Sequence, residues 1–327
     1  MEELGMFMNS LKRGASRRRG RVLLAVAVVA AVLSACGGGT SQIEPFAPTR
    51  IMAFGDETST ITAQGKKYTV NGIDATTLLP SCVVDPIWVQ SLATGFGLTF
   101  PQCNPSNLAA PTGLMYATPG AKVADVKAKI DAHFSVSGFG PKDLAAVLVG
   151  ANDVLELYGQ YPAQSQASLI DAVKARGRAL GDQVNRIVNA GGRVIIATLP
   201  DMGVTPFALK EKAAKVDTDR AVLLSTLTTE FNTAMRLTII NDGRLIGLVL
   251  ADEAVQATVR YPAAFGYANV TDGVCLTTIA VQDCTSKTLV TGGSGASWLW
   301  ATDTLLSPAG QARIGVLALT RAKNNPF

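Results

Sequence analysis

Short apolar runs recur along the chain at intervals that suit strands separated by helices. Four of these runs, rich in Val, Ile, Leu and Ala, lie at 50–54, 144–149, 193–198 and 245–250. A continuous apolar run of this length predicts a strand that is buried on both faces, as the strands of a parallel sheet are.

Helical periodicity fills most of the segments between these runs. Apolar side chains recur every three or four residues from Val123 to Phe134 and again within 169–188, and the segments 215–241 and 308–322 also predict helices. Alternation of strands and helices predicts an α/β fold, a three-layer α/β/α sandwich around a parallel sheet. Ligands bind such sheets at the carboxyl ends of the strands, and the segment 253–300 predicts a long excursion near that edge.

The N-terminal segment changes this picture, because its pattern is typical of an export signal. Six basic residues between Lys12 and Arg21 precede an apolar run from Val22 to Leu33, which is short for a membrane span. The following Leu-Ser-Ala-Cys ends at Cys36 and resembles a bacterial lipobox, in which the cysteine is lipidated. We therefore predict a signal peptide at 1–35, a flexible Gly-rich tether at 36–48 and one domain at 49–327.

Lipidation of Cys36 would make the membrane a partner of the protein and place it in the bacterial cell envelope. Gly37 after the cysteine resembles the outer-membrane sorting rule, so we expect the outer membrane, on its periplasmic face or at the cell surface. Cleavage after residue 35 leaves 23 basic and 23 acidic residues. A domain without net charge lacks the electrostatic footprint of a nucleic-acid-binding protein.

Four cysteines remain after Cys36. An even number in an exported chain favours disulfides, and the spacing predicts two local pairs, Cys82–Cys103 and Cys275–Cys284. Zinc is the alternative, but a structural zinc site usually has CxxC spacing or histidines, and His133 is the chain's sole histidine. The sequence predicts no cofactor and no metal.

Four separated segments carry a family resemblance. In chain order they are IMAFGDETS at 51–59, YATPGA at 116–121, VLVGAND at 147–153 and WATDTLLSPAGQ at 300–311, and the segments 199–206 and 261–267 add to them. In order and spacing these segments resemble the sequence blocks of the GDSL/SGNH ester hydrolases. The resemblance covers 50–322 and implies a flavodoxin-like SGNH-hydrolase fold and an ester-hydrolase ancestry.

The catalytic positions depart from the family's pattern. The nucleophilic serine of the first block falls on Glu57, and Ser59 matches the second, non-catalytic serine. The acid and the histidine base of the last block fall on Thr302 and Leu305. A register shifted by one residue would supply Asp303 as the acid but would place Leu306 at the base. Neither register provides a base, and a serine without one is a weak nucleophile.

The resemblance places the family's oxyanion donors on Gly120 and Asn152, both of which are retained. Each residue also has an architectural interpretation, as a turn glycine and as a cap at a strand end. We expect the Glu57 carboxylate to occupy the oxyanion hole itself. Asp56, Glu57 and Asp303 could otherwise bind a metal ion. His133 is expected at the end of a helix, about 20 Å from the donors at 1.5 Å per residue, where the helix dipole favours it.

These observations favour a lipid-anchored, catalytically degenerate GDSL/SGNH-like protein, a pseudoenzyme that binds a small-molecule or envelope ligand. Two alternatives remain open at this point. The first is an active esterase or acylhydrolase with displaced catalytic groups, and the second is the carboxylate-metal hydrolase. A Ser, Thr or His side chain within hydrogen-bond reach of Glu57 would favour the first alternative.

Overall fold

A computed structural model describes residues 45–324 of the chain. The predicted signal peptide, the lipidation site Cys36 and most of the predicted tether lie outside the described residues. Phe46, near the end of that predicted tether, lies with its ring centroid 6.2 Å from that of Phe96.

A five-stranded parallel sheet lies at the centre of the fold. Its strands are β1 (Arg50–Gly55), β2 (Gly113–Met115), β3 (Asp143–Leu148), β4 (Arg193–Ala197) and β5 (Ile246–Val249). They are arranged in the order β2-β1-β3-β4-β5, and every pair is parallel. This is the strand order of flavodoxin-like folds. The four predicted strands are confirmed, whereas the three-residue β2 was not predicted.

Both faces of the sheet are buried, as the continuous apolar runs predict. Along β1, Met52 and Phe54 belong to one hydrophobic cluster, while Ile51 and Ala53 belong to the cluster on the opposite face. This alternation follows from the two-residue repeat of a strand. Each face therefore needs its own layer of helices, which gives the predicted three-layer sandwich.

The helices divide between these two faces. The first face carries α2 (Val123–Val136), α3 (Ala151–Tyr158), α4 (Gln166–Asn189) and α6 (Arg220–Thr238), and the second carries α1 (Trp88–Thr94), α7 (Ala251–Arg260) and α8 (Pro308–Asn324). A further helix, α5 (Pro206–Ala214), precedes α6. The helix predicted from 215 begins at Arg220 because Asp219 caps it, accepting hydrogen bonds from the backbone amides of Ala221 and Val222.

The segment predicted as an excursion, 253–300, is partly regular. It begins within α7 and then forms β6 (Asn269–Gly273) and β7 (Trp298–Trp300), which pair in a separate parallel sheet. Both predicted disulfides are confirmed, with Cα–Cα distances of 5.6 Å for Cys82–Cys103 and 5.9 Å for Cys275–Cys284. Within residues 45–324, none of the helices combines the length and apolar composition needed to span a bilayer.

Candidate functional site at the carboxyl edge of the sheet

The candidate site lies where the strand order reverses. β1 lies between β2 and β3, so the strand order changes direction at β1. In open parallel sheets, a crevice forms at the carboxyl ends of the strands where the order changes in this way. Glu57 follows the end of β1, Gly120 lies in the loop after β2, and Asn152 follows β3. The topology therefore brings the three residues, which are far apart in sequence, to one edge.

A tight turn at the end of β1 sets the position of Glu57. Gly55 has a φ of +156°, and a Cβ atom added there would lie 2.1 Å from the carbonyl oxygen of Leu148 in β3. Asp56 then caps a single helical turn, Glu57–Ser59, by accepting a hydrogen bond of 3.0 Å from the Thr58 amide. The first residue of that turn is Glu57, so its side chain leaves the backbone directly beyond the strand.

The Glu57 carboxylate accepts hydrogen bonds from both of the retained donors, Gly120 and Asn152. Its Oε2 atom lies 2.8 Å from the Gly120 amide nitrogen and 3.1 Å from Nδ2 of Asn152. Glu57 is half-buried, and among the described residues no Ser, Thr or His side chain donates a hydrogen bond to it. Two convergent N–H donors on a single oxygen form the arrangement that stabilises an oxyanion in acyl transfer. In this chain a resident carboxylate oxygen occupies that position.

The two donors are held by different means. Gly120 has a φ of +73° and open space where a Cβ would be, so its constraint is conformational rather than steric. The Asn152 amide also donates to the Ala121 carbonyl oxygen at 3.2 Å. That second bond links the loop after β2 to the start of α3, which fixes both donors relative to each other.

A second carboxylate, that of Asp56, is buried beneath Glu57. Burial, followed by the charge of Glu57, raises the pKa of Asp56 from its ordinary value of 3.8 to about 8. The proton-bound form is therefore favoured near neutral pH. Burial thus favours the neutral form of the carboxyl group that adjoins Glu57 in the chain.

The first block is also tied to the last helix. The buried Ser59 hydroxyl accepts a hydrogen bond of 3.0 Å from Nε1 of Trp88. Gln311 in α8 accepts from the Trp88 amide at 3.1 Å and donates to the Thr58 carbonyl at 3.2 Å. Ser59 is thereby engaged in structural contacts. Gln311 was not singled out from the sequence, because a buried polar residue within an apolar helix pattern is the only signal it gives.

The segment that matches the family's acid–base block forms a closed turn. Oγ1 of Thr302 accepts from the amides of Thr304 and Leu305, and the Ala301 amide donates to the Leu305 carbonyl at 2.7 Å. Asp303 pairs with Lys210 of α5, with Nζ and Oδ1 2.7 Å apart. The Lys210 contact gave no sequence signal, since it joins residues from separate elements.

His133 lies in the last turn of α2 and makes structural contacts. Its Nε2 donates to the Gly138 carbonyl at 2.8 Å, which leaves Nδ1 to accept from the Tyr116 hydroxyl at 2.9 Å. Burial lowers the pKa of His133 below its usual value. Both ring nitrogens are thus used by these two partners, and neither is hydrogen-bonded to Glu57.

The carboxylates considered for a metal site have other partners. Asp303 pairs with Lys210, and Glu57 accepts the Gly120 and Asn152 donors. Across residues 45–324, no group of three or more His, Cys, Asp or Glu side chains is placed to hold a metal ion. The convergence that the carboxylate-metal alternative requires is absent from this part of the chain.

Comparison with known proteins shows a partial similarity to an esterase. No family model matches the chain. A GDSL-like esterase of Mycobacterium tuberculosis is 31% identical over 128 residues, and the match spans 36% of this chain and only 36% of that protein's length. This match confirms the resemblance carried by the ordered motifs. Over this part of its length, the chain is similar to a GDSL-like esterase.

Solved structures also give matches of low identity. The alignment with an acetylxylan esterase from Geobacillus stearothermophilus covers 85% of this chain and 95% of that enzyme, with 14% sequence identity and a TM-score of 0.43. The alignment with a lipolytic G-D-S-L protein from Veillonella parvula covers 83% of this chain and 96% of that protein, with 12% sequence identity and a TM-score of 0.38.

Proposed function

We propose that this protein is a lipid-anchored, catalytically inactive relative of the GDSL/SGNH hydrolases that has a binding role in the bacterial cell envelope. The observation that carries the proposal is the contact of Glu57 with Gly120 and Asn152 at 2.8 and 3.1 Å. The donors that would stabilise a substrate oxyanion already hold a carboxylate of the chain.

The chemistry of the neighbouring groups supports inactivity. Acyl transfer needs a nucleophile, a base that accepts its proton, and donors for the oxyanion. The carboxylate at position 57 could attack an ester, but the product would be an anhydride. Among residues 45–324, the donors hydrogen-bonded to it are the Gly120 amide and the Asn152 side chain, neither of which is a general acid. Leu305 stands at the base position, and His133 is bonded to Tyr116 and Gly138.

The anchoring part of the proposal depends on the N-terminal sequence. A basic segment, an apolar run and Cys36 follow one another in the order of a lipoprotein signal. Acyl chains contribute about 0.8 kcal/mol for each buried CH₂ group, so a multiply acylated Cys36 would hold the protein on a membrane. The two disulfides are consistent with export to an oxidising compartment.

An ester-hydrolysis assay tests the proposed inactivity. We expect no turnover of short-chain p-nitrophenyl esters above background for the native protein, for Glu57→Ala or for Glu57→Ser, because none of these proteins has a base. The matched control is Glu253→Gln, which changes an exposed carboxylate on α7. Native activity that disappears in Glu57→Ala and persists in Glu253→Gln would make Glu57 a catalytic residue and overturn the proposal.

Membrane fractionation tests the proposed anchor. Cys36→Ser is expected to move the protein from the membrane pellet to the soluble fraction without changing the melting temperature of the folded domain. Cys82→Ser is the matched control, since it removes a cysteine that is disulfide-bonded rather than lipidated. Pelleting of the Cys36→Ser protein to the native extent would contradict lipid anchoring.

An active ester hydrolase is the second candidate. It is favoured by the similarity of 36% of this chain to the GDSL-like esterase of Mycobacterium tuberculosis. On this reading, the catalytic groups would be displaced from the positions that the family's motifs define. The same ester assay separates the two candidates, because only this one predicts turnover by the native protein.

A further inference from the structure

A second concave site lies at the stapled segment, the part of 253–300 that carries the Cys275–Cys284 disulfide. It is a cavity of about 560 Å³ whose polar lining includes Lys210, Asp272, Thr277, Thr302 and Asp303. Gly120, Asn152 and Glu57 do not line it. A cavity with an apolar surface and a few converging polar groups is the usual form of a small-molecule site.

An aromatic platform forms one wall of the cavity. Trp298 in β7 lines it and is half-buried, whereas the chain's other two tryptophans, Trp88 and Trp300, are 0% and 1% exposed. The indole packs against the small cluster that contains the Cys275–Cys284 disulfide. Trp298 therefore packs on this cluster and also contributes to the lining of the cavity.

The charged groups of the cavity are held in place by hydrogen bonds. Oδ2 of Asp272 accepts from Nδ2 of Asn269 at 2.9 Å and from the Thr271 hydroxyl at 2.8 Å, and these bonds lower the pKa of Asp272. Lys210 and Asp303 form an ion pair of 2.7 Å. The two carboxylates outnumber the one ammonium group, which disfavours an anionic ligand, and together these groups offer acceptors and donors that suit uncharged hydroxyl groups.

The walls of the cavity are also braced against each other. Gly273 packs so closely on Thr302 that an added Cβ would lie 2.9 Å from the Thr302 backbone. The Cys275 amide donates to the Ala301 carbonyl at 2.9 Å, next to the Cys275–Cys284 disulfide. A wall ordered before the ligand arrives reduces the entropic cost of binding.

We propose that this cavity binds a neutral saccharide unit of a glycan, with a sugar ring stacked on Trp298 and its hydroxyl groups bonded to Asp272, Asp303 and Lys210. A pyranose presents C–H groups on its face, which suit an aromatic surface. Its hydroxyl groups donate to carboxylates and accept from an ammonium group in charge-assisted hydrogen bonds. This inference deepens the proposed binding role and rests on it, since the ligand is held without being cleaved.

Tryptophan fluorescence gives a direct test, because Trp298 is the only tryptophan with appreciable solvent exposure in the described chain. The probes are cellotetraose, maltotetraose and chitotetraose, with tetraethylene glycol as a control that lacks sugar rings. We expect a saturable change in emission with at least one of the three sugars, at a Kd of about 1 mM or tighter. Absence of binding by all three, in fluorescence and in calorimetry, would overturn the proposal.

Variants locate the binding event. Trp298→Ala and Asp272→Asn are each expected to weaken binding about tenfold in calorimetry, the equivalent of losing one good contact. The matched control is Asp283→Asn, which lies in the same stapled segment but pairs with Lys66 outside the cavity lining. Thermal unfolding of each variant checks the fold, and Lys210→Met, at another lining residue, replaces any variant that unfolds.

Equal affinity in the native, Trp298→Ala and Asp272→Asn proteins would place saccharide binding elsewhere and overturn the assignment of this cavity. The ester assay is independent of this outcome. A failure of saccharide binding with no ester turnover leaves the inactive site of the proposed function intact, and ester turnover with intact saccharide binding refutes only the inactivity.

Discussion

The two parts of the candidate site differ in what they retain. At the end of β1, Gly120 and Asn152 still direct their N–H groups to one point, and Glu57 fills it. At the turn before α8, the Thr302 hydroxyl accepts a hydrogen bond from the Leu305 amide, the Thr302 amide donates to the Leu305 carbonyl, and Asp303 is paired with Lys210. The donor side keeps a geometry useful for catalysis, whereas the acid–base side keeps only its turn.

This difference follows from what each part does for the fold. The donors lie on loops that leave adjacent strands, and the Asn152 amide also ties Ala121 into place. Their geometry is therefore maintained by architecture even without a reaction. On the acid–base side, the turn is held by hydrogen bonds of the Thr302 hydroxyl and of the backbone rather than by the Leu305 side chain, so a base at position 305 is not needed to form it. Retained donors alone are thus weak evidence of activity.

The largest expected effect comes from restoring the missing groups on both sides at once. The triple variant Glu57→Ser, Thr302→Asp, Leu305→His is expected to raise ester hydrolysis at least about tenfold above background, because positioned acid–base groups typically contribute 10²–10⁴-fold. An aspartate at 302 can still accept from the amide of residue 305, as Thr302 does at 3.2 Å. The measurement is p-nitrophenyl ester turnover against the single Glu57→Ser variant.

The control for that gain adds Asn152→Ala to the triple variant. Removing one oxyanion donor costs about 10²–10³-fold in known enzymes, so the restored activity should disappear. A triple variant without turnover would show that the turn does not direct residue 305 towards the donors. That result would confine the enzymatic geometry to the donor side.

Much of the fold was predictable because it depends on local pattern. The strands β1, β3, β4 and β5 are continuous apolar runs, which have few alternatives to burial in a parallel sheet. β2 was missed because three residues are too few to show a pattern. β6 contains Asn, Thr and Asp and pairs outside the main sheet, so its sequence did not predict a strand.

The site was predictable where a motif defines it and not where tertiary packing does. The occupation of the donors by Glu57 was expected from its place in the first block. The pairing of Asp303 with Lys210 was not expected, because α5 was not predicted. The two residues meet through the packing of α5 on the turn, where the Phe207 amide donates to the Asp303 carbonyl. Long-range contacts between polar residues leave no periodic signal.

Asp56 is expected to give the next largest effect, on stability as a function of pH. Its pKa is raised in the folded state to about 8, so its contribution is fully present below the ordinary value of 3.8 and is lost as the pH rises through about 8. Asp56→Asn keeps an acceptor for the Thr58 amide but removes the titration. The variant should be more stable than the native protein at pH 8, by at least about 1 kcal/mol, and equally stable near pH 4.

Chemical denaturation at both pH values measures this difference. Asp171→Asn, a change at an exposed position on α4, is the matched control and should leave the pH profile unaltered. An Asp56→Asn profile parallel to the native one would mean that burial does not hold this carboxyl group neutral.

A smaller effect is expected for Glu57→Gln. The amide oxygen can still accept from Gly120 and Asn152, but a neutral acceptor makes weaker hydrogen bonds than a carboxylate, by about 1 kcal/mol. Because the charge of Glu57 also raises the pKa of Asp56, the variant should lose less stability than the native protein between pH 4 and pH 8. Urea denaturation across this range measures both effects, and coincident curves would exclude a stabilising role for the contact.

The smallest effect is expected on the acid–base side, from Lys210→Met. The Lys210 and Asp303 side chains are 61% and 42% exposed, and an exposed ion pair typically contributes about 0–1 kcal/mol and is screened by salt. We expect a change of about 0.5 kcal/mol or less in the free energy of unfolding, which should vanish in about 0.5 M salt.

Arg50→Met is the contrasting variant, because Arg50 binds both carboxylate oxygens of the nearly buried Asp143. A large loss for Lys210→Met would show that the turn depends on this pair. A negligible loss would allow any weakening of saccharide binding in the same variant to be assigned to a lost contact with the ligand.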